Sequence, residues 1–279
     1  MITYINKQAL FAHILILFLI VIFCFVDIDT KKDKHSRETT IQNRCSPDAA
    51  MNFFHNQVLM KLTAEHIRLL CKTPFLHLFA FPKGTQASRV VLHQILLMWD
   101  RQKRCFGFNG SDLHFTSEEV SLVMCLPSKG IQVNCDRTSY TDSPLRWRHF
   151  RDMTRITKPD LEKAILKAID DKCAPADVVG LLVMYLFTST LFPQANGCVP
   201  TLFFPYVEII EKIRTYNWGD AVHGLLMDSI PSCSSWCRRM EKGGEDCGGS
   251  SEKSSPVLPV CTLALIVSYF NSKLIVKHI

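Results

Sequence analysis

The chain has 279 residues, 47% of them hydrophobic and 21% charged, with a formal net charge of +6. That is an ordinary globular balance, with room for one sizeable core and a second small unit. Its length and scattered cysteines exclude the short secreted class framed by disulfides. The mild basic excess permits contact with nucleic acid or a membrane surface without requiring either.

Ala9 to Val26 is an 18-residue apolar run interrupted by His13. It is long enough to be a candidate transmembrane helix. Lys31, Lys32, Lys34 and Arg37 follow it, which by the positive-inside rule would keep the body of the protein cytosolic. Twelve cysteines, several inside apolar helical patterns such as Val123-Met-Cys-Leu126, fit the same reducing compartment. Residues 1–29 are therefore expected to be an apolar leader or transmembrane helix, and 30–58, polar and without periodicity, a linker.

From residue 59 to 240 the pattern is mainly helical. Thr63 caps a helix over Ala64–Leu70, and Arg89 to Arg101 carries a wide apolar face. Phe106-Gly-Phe-Asn-Gly-Ser-Asp-Leu-His-Phe115 alternates on either side of Asn109-Gly110, a two-residue turn signal, and predicts a small β-hairpin. Thr116 and Glu119 form a T-x-x-E capping box for the next helix, closed by Pro127 and Gly130. Residues 130–146 read as loop. Thr157-Lys-Pro-Asp160 starts a helix through Ile169. Pro175 starts one through Leu191 that is apolar all round and so belongs in a core. Pro205 opens a helix through Ile213, Tyr216-Asn-Trp-Gly219 is a turn, and Asp220 opens a last helix ended by Pro231. A flexible polar linker over 241–256 and an apolar tail over 257–279, placed outside the folded domain, complete the chain. The fold class expected is mainly α: a helical domain with one small β-hairpin, plus the amino-terminal apolar helix.

No P-loop, H-E-x-x-H, G-x-S-x-G or dinucleotide-binding glycine pattern occurs, so no catalytic residue is assigned. His223, Cys233, Cys237 and Cys247 offer a single C-x3-C pair with stray partners, which reads as unpaired thiols rather than a zinc site, so no metal is assigned. The chemically distinctive segment is Arg146-Trp-Arg-His-Phe-Arg-Asp-Met-Thr-Arg155 with Lys158. On a continuous helix Arg148, Arg151 and Arg155 share one face. If the segment binds nucleic acid, these arginines, with Arg146 and Lys158, contact phosphates, and Trp147 or Phe150 stacks on bases. The competing reading is a solvated basic face whose aromatic residues anchor it to the core.

The order of Leu113-His-Phe-Thr-Ser-Glu-Glu-Val120, Leu126-Pro127, Leu191-Phe-Pro193, Pro205-Tyr-Val-Glu208 and Tyr216-Asn-Trp-Gly-Asp-Ala-Val-His223 resembles the plant mobile domain family, often labelled aminotransferase-like. The resemblance implies a transposon-derived, non-enzymatic interaction module of nuclear or cytosolic location, with an unknown protein partner and a weak nucleic-acid-linked role. It implies no cofactor: no lysine lies in a pyridoxal-phosphate setting. Two alternatives stay open. One is a membrane-tethered form anchored through Ala9–Val26. The other is a truncated relative of a transposon-encoded protease protein.

Overall fold

The computed structural model describes residues 42–81, 88–108, 110–136, 142–151, 153–241, 257–258 and 261–267. The apolar run Ala9–Val26 lies outside them. Among the described residues no helix is long and apolar enough to cross a membrane.

The architecture is mainly helical with a small three-stranded antiparallel sheet. In chain order the elements are β1 (Gln42–Asn43), α1 (Pro47–Phe53), α2 (Ala64–Leu70), α3 (Arg89–Leu97), β2 (Trp99–Asp100), β3 (Cys105–Phe108), β4 (Ser111–Leu113), α4 (Ser117–Met124), α5 (Pro144–Phe150), α6 (Lys158–Asp170), α7 (Pro175–Leu186), α8 (Phe204–Val207), α9 (Trp218–Glu241), β5 (Val257–Leu258) and α10 (residues 262–267). A π-helical stretch, Phe54–Val58, extends α1, and another, Phe187–Leu191, extends α7.

Local chemistry explains several starts. Thr63, Thr116 and Thr157 each accept a hydrogen bond from the backbone N–H three residues on, and the side chain at that third position accepts from the threonine N–H. For α2 the reciprocal group is His66, whose Nδ1 accepts from Thr63 N at 3.0 Å. Burial lowers the pKa of that ring, which favours the neutral form able to accept. α7 has every residue from Asp177 to Leu186 buried, as an all-apolar helix must to satisfy the hydrophobic effect.

The hairpin forms as expected, with Phe106 opposite Leu113 and Phe108 opposite Ser111. Trp99–Asp100 adds a third strand against β3, where the sequence pattern suggested a continuing helix to Arg101. Gly110 sits at φ +80°, a region that side chains with a branched Cβ rarely adopt. Nothing lies within 4 Å of an added Cβ there, so the cost of Gly110→Val is purely conformational. We expect a loss of about 1–3 kcal/mol, read as a lower urea midpoint at unchanged slope.

α9 corrects two expectations. It starts at Trp218 with Asn217 as the cap, whose Oδ1 accepts from Asp220 N at 3.1 Å. It also runs through Pro231 to Glu241. An internal proline costs roughly 3 kcal/mol, but Leu226, Met227, Ile230, Cys233, Trp236 and Cys237 keep the buried stripe in phase across it. Packing of that stripe outweighs the lost hydrogen bond. Gly219, in the first turn, lets α9 close on α4: a Cβ there would stand 1.7 Å from Ser121 Oγ.

The boundaries also move. The expected linker 30–58 is partly core, because Pro47, Ala50, Met51, Phe53, Phe54 and Val58 are buried. The expected outlying tail is core as well: β5 pairs in parallel with β1, and Leu258, Cys261, Leu263, Leu265, Ile266 and Val267 are buried. Cys261 N donates to Leu191 O at 3.2 Å, tying the tail to the end of α7. Composition placed both segments outside because short apolar strings next to polar runs show no periodicity. What recruits them is each other.

Candidate nucleic-acid interface

The basic-aromatic segment begins as α5, capped by Ser143 Oγ, which accepts from Arg146 N at 3.4 Å, with Pro144 at the first turn. Leu145 N donates to Glu208 Oε1 at 3.1 Å and fixes the helix start against the end of α8. The helix ends at Phe150, and Arg151 follows with φ +32°. The expected common face of Arg148, Arg151 and Arg155 therefore does not exist. Only Arg148 belongs to the helix, and seven residues of it leave no room for a longer basic stripe.

The structure distributes the predicted residues among different tasks. Arg146 is buried, and its Nη2 donates to Met153 O at 2.9 Å, closing the turn after the helix. Phe150 is buried against Phe204, with ring centroids 5.7 Å apart, so it cannot stack on a base. Arg155 reaches across to the 196–198 loop, donating to Cys198 Sγ at 2.9 Å and Asn196 O at 3.2 Å. Lys158 lies over the Tyr185 ring, 5.1 Å from its centroid. Burial lowers the Lys158 pKa, partly offset by Glu162. Tyr185 in turn donates to Glu162 Oε1 at 2.7 Å, and burial with that carboxylate raises its pKa far above the ordinary phenol value.

Arg148 is the centre of the strongest polar contact. Its Nε and Nη2 donate to Asp177 Oδ2 and Oδ1, both at 2.7 Å, and His149 Nε2 lies 3.1 Å from the same Oδ2. Asp177 is buried in the first turn of α7, where a carboxylate also suits the positive end of the helix dipole. Burial pushes its pKa up, but the hydrogen bonds from Arg148 and His149 overcome this and leave it below the ordinary 3.8. A depressed folded-state pKa stabilises the fold above the unfolded value and loses that contribution as the pH falls through the folded value. Acid unfolding should therefore carry an Asp177 component below about pH 4, and Asp177→Asn should flatten that limb in a pH series of melting midpoints. Arg148→Gln should cost about 1 kcal/mol, the guanidinium being half exposed and screened. Replacing Arg148 is thus expected to cost stability, contrary to the simple surface reading.

What remains on the solvent side of α5 is Trp147, 46% exposed, with Arg151 just beyond the helix, also exposed. Among the described residues Trp147 is the one Phe, Trp or Tyr side chain left open to solvent. Elsewhere the candidate ligand His223 is engaged by Phe115 O at 2.8 Å, and Cys233 and Cys237 are core residues of α9. Burial pushes those two thiols up to about 11 and 12. Cys247 lies outside the described residues.

Sequence reasoning missed Asp177 as the shared partner of Arg148 and His149. Asp177 was legible as a first-turn acid, but nothing local couples it to a residue 29 positions earlier.

A family model described as a domain of unknown function (DUF8566) matches residues 43–250. No curated protein and no solved structure matches the chain. The chain belongs to the DUF8566 family. This overturns the resemblance to the plant mobile domain. Residues that carried it, the cap Thr116 and the turn residue Asn217 among them, are helix punctuation that unrelated helical domains share.

Proposed function

We propose that this DUF8566 member is an interaction domain that works by binding rather than by chemistry, and that its contact surface is the solvent side of α5. The observation that carries the reading is Trp147: a large aromatic held on a helix that is fixed from below by Leu145, Arg146 and Phe150. A rigid, exposed indole beside Arg151 fits an anionic strand with aromatic faces, such as single-stranded nucleic acid. Arg148 and Arg155 already have partners inside the fold, so the strand gains few phosphate contacts and binding is weak. Supporting the non-catalytic part, the polar groups best placed for chemistry serve structure: His66 and Asp160 complete caps, His77 Nε2 meets Met124 O at 2.7 Å, and Glu162 holds Tyr185.

The test is a titration of the full chain with a labelled single-stranded thymidine oligonucleotide, followed by anisotropy at several salt concentrations. We expect binding only at low salt, a log–log salt slope that falls by roughly one unit in Arg151→Gln, and a loss of affinity without a changed slope in Trp147→Ala. Binding that is absent at low salt, or indifferent to both variants, overturns the proposal. The basic residues after Ala9–Val26 favour a second reading, a membrane-tethered form of the same domain. Retention of tagged protein in carbonate-washed membranes would support it, and full release would reject it.

A further inference from the structure

Cys45 and Cys261 come from opposite ends of the described chain and meet in its core. Cys45 follows β1, Cys261 follows β5, and the two strands pair in parallel with Asn43 opposite Leu258. The Asn43 side chain spans the junction: its Oδ1 accepts from Cys45 N at 3.0 Å and from Thr262 Oγ1 at 3.1 Å. Both cysteines are then anchored on adjacent carbonyls of one helical turn. The Cys45 thiol donates to Thr190 O at 3.4 Å, and Cys261 N donates to Leu191 O at 3.2 Å. Both cysteines are free and both are buried.

We propose that Cys45 and Cys261 are a disulfide-forming pair, a redox clasp that fastens the carboxyl-terminal segment β5–α10 to the amino-terminal segment around β1. The fold has already done most of the approach, because strand pairing, the Asn43 bridge and the shared 190–191 turn bring the two residues to one junction. The exchange can open at either thiol, and its balance is the same from Cys45 or from Cys261.

The oxidant is a small-molecule disulfide. Cys45 thiolate attacks one of its sulfurs, a mixed disulfide forms, the reagent's S–S bond breaks, and one small thiol leaves with the proton Cys45 gave up. Cys261 then loses its proton and attacks the Cys45 sulfur. The Cys45–Cys261 bond forms as the mixed bond breaks, and the second small thiol carries off that proton. Two protein thiols are oxidised by two electrons and one small disulfide is reduced to two thiols. Because both sulfurs are buried, the reagent reaches them only when β5 and α10 lift from the core, so the reaction is slower than at exposed Cys125.

The experiment incubates the full chain with oxidised glutathione, blocks remaining thiols in denaturant, and maps peptides by mass spectrometry without reduction. The expected result is a Cys45–Cys261 linked peptide as the main internal cross-link, reversed by dithiothreitol. It should come with a melting midpoint several degrees above that of the reduced protein, a shift absent in Cys261→Ala. Three results would overturn it: Cys45 and Cys261 recovered blocked while other thiols carry glutathione, a mixed disulfide left unresolved on Cys45, or cross-links dominated by Cys233–Cys237. Should Cys261→Ala fail to fold, the peptide map of the unsubstituted chain decides alone.

Discussion

A chain ended at Pro256 is expected to lose its cooperative unfolding transition. The truncation removes Leu258, Leu263, Leu265, Ile266 and Val267, all buried, together with Cys261. Burying one large aliphatic side chain contributes about 1.5–3 kcal/mol, so the five together supply roughly 7–15 kcal/mol as an upper bound. That equals the whole net stability of a typical domain, about 5–15 kcal/mol. The loss also uncovers Leu191 and Cys45 on the core side, and leaves β1 without its only partner strand among the described residues. Circular dichroism in a urea series, with a hydrophobic dye added, checks this. The truncated chain should keep much of its helix signal, lose the sharp transition and bind dye. A native-like midpoint would mean that the segment rests on the surface and that the domain closes at the end of α9.

Trp218→Ala should be the most damaging single substitution, at about 3–5 kcal/mol. The indole is fully buried and surrounded by rings: Phe187 at 5.0 Å, Phe75 at 5.4 Å, Tyr216 at 5.9 Å, Phe192 and Tyr206 at 6.2 Å, and Phe203 at 6.3 Å between centroids. Its Nε1 donates to Ile213 O at 2.7 Å, which satisfies the one polar atom of the side chain. Removing it leaves a cavity among rigid rings that cannot collapse into the space, because each packs on others in the cluster. Trp218→Phe separates the two components, keeping a ring and losing the hydrogen bond. We expect it to cost about 1–2 kcal/mol, so the difference between the two urea midpoints reports the packing share.

Most of what decides where helices begin was readable in the sequence, because capping is a short-range bargain between residues three apart. Thr63, Thr116 and Thr157 all act as their spacing predicts. The buried character of α7 was equally plain, since a helix with no polar side has nowhere else to go. Reading failed where a long-range contact overrides a local rule. Pro231 is a helix stop on any local scale, yet Trp236 and Cys237 need the same helix to reach the core, and Arg238 donates to Leu97 O at 3.2 Å and to Trp99 O beyond the end of α3. β1 and β5 are two residues each, too short for alternation to register, and each is a strand only because the other is present. The expected common arginine face of the 146–158 segment is missing for the same reason. Its arginines looked alike in the sequence, and what separates them is Asp177, Cys198 and Asn196, none of them nearby in the chain.

Whether α5 offers Trp147 as the contact for a ligand strand is tested most directly by iodide quenching of tryptophan fluorescence. The chain has 4 tryptophans. Trp99, Trp218 and Trp236 are buried at 2%, 0% and 5% exposure, against 46% for Trp147, so quenching by a charged, water-borne ion reads Trp147 almost alone. One quenchable class is expected, which disappears in Trp147→Phe and is shielded when a single-stranded thymidine oligonucleotide is added at low salt. A quenchable class that persists unchanged in the presence of saturating oligonucleotide would contradict it.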